Sequence, residues 1–213
     1  MAEVASHLID NVLPNAAYRQ FVISFPHALR YWAGLNTQLA HKVHKIIKSV
    51  IMDQYKTSFG KIKNVHTGGI TFEQRFGSGI QFNWHLHILM LDGVYVRNAR
   101  GDLIFQNGKL HTKDIGEITA NIARRVIKLL RRRGYIKKDG TLTENPLLDP
   151  ELEDNPELAK ITAASTQGKI LFGDHAGKFV KKIGRGLGFE EEIPMAKGEM
   201  LATQNGFNIH ART

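Results

Sequence analysis

A chain of 213 residues with 42% hydrophobic and 23% charged side chains suits one packed domain, 1–213, and excludes wholesale disorder. It has no cysteine, which excludes disulfides and thiolate metal sites, and no apolar run near the ~20 residues of a membrane span. Lys and Arg number 29 against 20 Asp and Glu, a net charge of +9 that suits a polyanion such as nucleic acid, because neutralising phosphates releases counterions.

Residues 3–13 carry Val4, Leu8, Ile9 and Val12 at helical spacing and stop at Pro14, and nothing there has the basic-then-apolar layout of a secretory leader, so a cytoplasmic location is expected. YRQFVISFP predicts a strand with Phe21, Ile23 and Phe25 on one face, closed by Pro26. Residues 27–57 predict one long helix or two, broken near Gly34. Leu39, Val43, Ile46, Ile47 and Val50 form its core stripe, with His41, Lys42, Lys45 and Lys48 on other faces. After a Gly and Lys linker, HTGGITFEQRF and GIQFNWHLHILML predict two strands joined by the turn Gly77-Ser78-Gly79. VYVRN predicts a further strand and LIFQ one that pairs back, so the stretch reads as an antiparallel meander.

Residues 113–133 predict the clearest helix, with Ile115, Ile118, Ile122, Val126, Leu129 and Leu130 as its buried stripe. Its second half carries Arg124, Arg125, Lys128, Arg131, Arg132 and Arg133, which complement the negative end of the helix dipole, and Gly134 is placed to cap it. These cations read equally as a solvated face or as a DNA contact. Residues 137–156 turn polar and acidic and predict an internal loop, followed by a short helix near 157–165. Residues 168–200, rich in Gly and Lys, receive no assignment, and GFNIHART predicts the start of a strand.

The segment from Ile80 to Leu91 alternates at period two: Ile80, Phe82, Trp84, Leu86, Ile88 and Met90 point one way, and Gln81, Asn83, His85 and His87 the other. Two imidazoles at i and i+2 on one strand face stand ~6–7 Å apart at Cα and converge readily on a single divalent cation. A zinc hydrolase with a longer run of His and Asp, or a large barrel amidohydrolase, needs parts this chain lacks.

AEVASHLIDNVLP, YRQFVISFPHALRY, GGITFEQRFGSGIQFNWHLHILMLDGVYV, STQGKI and GFNIHA together resemble, in order, the HUH rolling-circle transposases of the insertion-sequence ninety-one family, with His85-Leu86-His87 as the HUH element. The resemblance implies an α+β fold with a central antiparallel sheet backed by helices, and the strand FVISFP supporting the site. It also implies Mg²⁺ or Mn²⁺ as the metal, single-stranded DNA as substrate, and a tyrosine that attacks a phosphate to leave a 5′-phosphotyrosine. A third protein ligand is expected from the neighbouring strand. Strict alternation groups Ile70, Phe72, Gln74 and Phe76 against Thr71, Glu73 and Arg75 and favours Glu73 as the polar-face residue; the family pattern favours Gln74.

The family's tyrosine lies in a helical segment beyond the GFNIHA-like strand, and Tyr18, Tyr31, Tyr55, Tyr95 and Tyr135 form no paired motif four residues apart. The expectation is a chain that binds single-stranded DNA with metal and does not cleave it alone; a DNA-binding transposase remnant without catalysis is the alternative. A homo-oligomer is compatible with either. Charge clustering nominates Arg75, Arg124, Arg125, Arg131, Arg132, Lys181 and Lys182 for DNA contact, and His210 falls in a matched stretch.

Overall fold

The computed structural model describes residues 2–60, 62, 64–76, 82–108, 110–140 and 195–212. The turn Gly77-Ser78-Gly79, the side chains of Ile80 and Gln81, Lys181, Lys182, the helix expected near 157–165 and most of the loop 137–156 lie outside the described residues. The chain begins with helix α1 (Ala2–His7), prolonged by a π-helical turn Leu8–Val12. A helical segment is met, yet Ile9 and Val12 stay 67% and 50% exposed, and the turn Leu8–Val12 buries no residue.

Strand β1 (Tyr18–Ser24) is followed by α2 (His27–Leu35) and α3 (Thr37–Ser58). The two-helix reading holds, but the break falls at Asn36 rather than Gly34. The Asn36 side chain accepts a hydrogen bond from Leu39 N at 2.9 Å and so satisfies a backbone donor that the first turn of α3 leaves open. Next come β2 (Gly69–Phe76), β3 (Phe82–Leu91), β4 (Gly93–Arg97), β5 (Leu103–Asn107), α4 (Thr112–Arg132), β6 (Met195–Gly198), β7 (Leu201–Gln204) and β8 (Phe207–Arg212).

The architecture is α+β: a six-stranded antiparallel sheet in the order β2-β3-β1-β8-β7-β6, with helices on one face. It is not a simple meander. β1 sits between β3 and β8, and β4 and β5 leave the main sheet to pair as a separate two-stranded ribbon. β7 and β8 are joined by Asn205-Gly206, with φ of 49° and 76°, a two-residue loop whose left-handed geometry matches strand twist.

One core joins the sheet to the helices. Phe21, Ile23 and Phe25 are fully buried, as are Trp84, Leu86 and Ile209, and they pack with Val43 and Ile47 of α3 and Ile115, Ile118 and Ile122 of α4. Phe25 stacks on Trp84 with ring centroids 4.3 Å apart. At the start of β1, Arg19 donates to both carboxylate oxygens of Asp92 at 2.9 and 2.8 Å, and Tyr55 donates to the same carboxylate at 2.8 Å. All three are buried, and this network ties β1, the β3–β4 turn and α3 together. Among the described residues no helix is long and apolar enough to cross a membrane.

Candidate metal and nucleic-acid site on the open sheet face

β3 is flanked by β2 and β1, so each of its polar side chains has two cross-strand neighbours on the same face. His85 lies opposite Gln74 on one side and Ser24 on the other; His87 lies opposite Phe72 and Val22. β1 continues the rows into β8, where Ser24 pairs with Asn208 and Val22 with His210. The result is a polar band across the sheet: Gln74, His85, Ser24, Asn208 and, on β7, Thr203. It occupies the face away from the buried core, where β1 alternates as predicted: Phe21 and Ile23 inward, Gln20, Val22 and Ser24 outward.

The two imidazoles are neighbours, with ring centroids 5.2 Å apart and planes at 62°. His85 Nδ1 lies 2.6 Å from the backbone oxygen of Asn83. A carbonyl can only accept, so Nδ1 carries a proton; in the neutral ring Nε2 then keeps its lone pair for a ligand, the usual arrangement of a metal-binding histidine. His87 Nδ1 lies 3.0 Å from the side-chain amide nitrogen of Gln20, which donates to it. In that arrangement Nε2 of His87 carries the ring proton; a half-turn of the Gln20 amide reverses the bond and frees Nε2. Burial first, and then the His85 ring, push the His87 imidazole below its usual range, so protons compete less with a cation there.

The donor set fits a divalent cation with open positions. It offers two neutral imidazoles, an amide and a hydroxyl, leaving room for water or phosphate oxygens. Among the described residues no group of three or more His, Cys, Asp and Glu converges.

β2 corrects the alternation argument for Glu73. Register puts Gln74 opposite His85, while Glu73 pairs with Leu86 and faces the helical layer. There it accepts from Trp84 Nε1 at 3.0 Å and from Arg75 Nε at 2.9 Å, and its carboxylate approaches His44 Nε2 at 3.8 Å. β2 is an edge strand. Its inward residues lie at the margin of the core, where a carboxylate finds polar partners, and its outward residues include Phe72. Polarity in this strand therefore does not report which face is which. The register shift lies between Gln74 and Phe76.

His210 shares the open face with His87, two strand spacings away, ~9–10 Å, and its Nε2 accepts from Arg212 Nε at 3.0 Å. Of the nominated DNA contacts, the five that lie among the described residues are not brought to this face. Arg124, Arg125, Arg131 and Arg132 are exposed on α4, which packs on the opposite side of the sheet, where Arg125 lies 3.8 Å from Asp53. Arg75 is engaged with Glu73. Tyr55 and Tyr135 are buried, Tyr31 packs against the core, and Tyr95 meets Phe105. Tyr18 donates to Pro14 O at 2.6 Å, four residues along β1 from Val22, hence ~13 Å from the His87 row.

Sequence reasoning did not single out Gln20, Ser24, Phe72 or Asn208. Period-two alternation of β1 and β8 carried the signal, but their rank beside the histidines depends on register. No protein-family model matches the chain, and no curated protein or solved structure gives a significant match.

Proposed function

We propose that this chain is the metal- and DNA-holding part of an HUH-type transposase nuclease, acting on single-stranded DNA. The observation that carries the reading is the pair His85 and His87, side by side on the outward face of a strand inside the sheet, with the His85 proton fixed on Nδ1 by Asn83. The sequence resemblance and the net charge of +9 point the same way. His85 Nε2, His87 Nε2 once the Gln20 amide has turned over, and the Gln74 amide would hold Mg²⁺ or Mn²⁺. Such an ion would supply polarisation of a phosphate and offset charge at the scissile bond. Ser24 offers a hydrogen bond to the sugar-phosphate chain beside it, and Gln20 sets which nitrogen of His87 carries its proton.

Binding without cleavage is the second reading, favoured by the positions of the tyrosines, none of which stands in the histidine row. Fluorescence anisotropy of a labelled single strand tests the first part. Affinity is expected to rise on adding Mn²⁺ and to lose that gain in the double variant H85A/H87A; equal affinity with Mn²⁺ and with chelator contradicts it. An oligonucleotide with a 3′-bridging phosphorothiolate, whose 3′-thiol leaves when a tyrosine takes the 5′-phosphate, then separates the two readings: a covalent adduct on denaturing gels means cleavage by this chain, and its absence leaves binding alone.

A further inference from the structure

Phe72 is one of the few large apolar side chains that the fold leaves in the open, at 43% exposure. A lone exposed apolar residue is common on any protein surface. Phe72 differs in its neighbours: register puts it directly opposite His87, on the face that carries His85, Gln74 and Ser24. Directly paired residues have Cβ atoms ~4.5–5.5 Å apart, so the two side chains leave the sheet side by side. It stands on β2, at the end of the sheet order among the described residues. The next row offers Gln74 and His85, and the far side of His87 offers Val22 and then His210.

We infer that Phe72 is a stacking platform for one nucleobase of the strand whose phosphate lies at His85 and His87. A nucleotide carries a flat π-face on one arm and an anionic phosphate on the other, and this corner of the sheet presents a solvent-facing aromatic ring beside the two imidazoles. Stacking tolerates any base, because every base has a π-face, so Phe72 grips the strand without reading its sequence. The inference rests on the single-strand reading above and adds to it the position and kind of a base contact.

The test is a binding cycle with the full chain, Mn²⁺ and short fluorescein-labelled single strands that carry one abasic site at successive positions. Phe72→Ala is expected to weaken binding to the intact strand on the order of ten- to hundredfold, Phe72→Leu nearly as much, and Phe72→Trp little. At one abasic position the Phe72→Ala penalty is expected to vanish, since base and ring are partners in one contact. Phe72 is exposed, and circular dichroism checks that each variant is folded. Wild-type affinity in Phe72→Ala, or a penalty that stays the same at every abasic position, overturns the stacking role while leaving the single-strand reading intact. Failure of the wild-type chain to bind any single strand overturns both.

Discussion

At His87 the decisive atom belongs to its neighbour. The Gln20 amide, 3.0 Å from Nδ1, can donate or, turned over, accept, and only the second state frees Nε2 for a ligand. A carboxylate at this position can only accept. Q20E is therefore expected to hold the ligand-ready tautomer and raise Mn²⁺ affinity, and Q20L to lower it on the order of tenfold, measured by isothermal titration calorimetry. Equal affinities in all three proteins would mean that Gln20 plays no part in metal binding. His44, stacked on Trp84 beside Glu73, shifts the same way as His87: burial, only partly offset by Glu73, depresses its pKa below the ordinary 6.5, with His41 and Lys48 adding to the depression. A depressed folded pKa means that the unfolded chain takes up the proton first. Stability is then full above pH ~6.5 and falls as pH drops through the folded value. Thermal melts between neutral and mildly acidic pH should show that decline, and it should be shallower in H44Q. The histidine pair itself was legible in the sequence because β3 alternates cleanly. Glu73 against Gln74 was not, since an edge strand gives each face a mixed environment and register alone decides.

The elements were largely written in hydrophobic period. α4 buries Ile115, Ile118, Ile122, Val126 and Leu130 as its spacing demands. Its end is also as the sequence implies: Gly134 has φ 77°, its N–H reaches Arg131 O at 3.1 Å, and Tyr135 N reaches Leu130 O at 3.0 Å. These two bonds make a Schellman motif and satisfy carbonyls the helix would leave open. An added Cβ at Gly134 meets nothing within 4 Å, so G134A isolates the backbone cost of the left-handed conformation, about 1 kcal/mol in urea denaturation. Unchanged stability would mean the helix ends otherwise. The sheet order was not legible. Local pattern cannot show that β1 lies between β3 and β8, because that pairing joins segments far apart in the chain. Asn205-Gly206 is a hairpin signal in its own right; it fixes β7 against β8 and thereby the far side of the site.

Among the described residues, the arginines of α4 and the histidine pair lie on opposite sides of the sheet. The sheet separates His85 and His87 from the exposed arginines of α4, so one short strand seated at the histidines cannot also rest on that helix. Net charge read from sequence is blind to this division. Reversing Arg124 and Arg131 together is expected to leave the Mn²⁺-dependent gain for a short strand unchanged. If longer DNA wraps to the helical layer, the same change lowers its salt slope by about one for each phosphate no longer neutralised. Disappearance of the short-strand gain would place the strand on the helices instead. His85 and His87 are proposed to hold one divalent cation between them. Electron paramagnetic resonance of free Mn²⁺, titrated with the protein, tests it most directly: the wild-type chain should deplete the free-ion signal at one site per chain, and H85A and H87A should each abolish that depletion. Equal depletion by wild type and by H85A/H87A would contradict it.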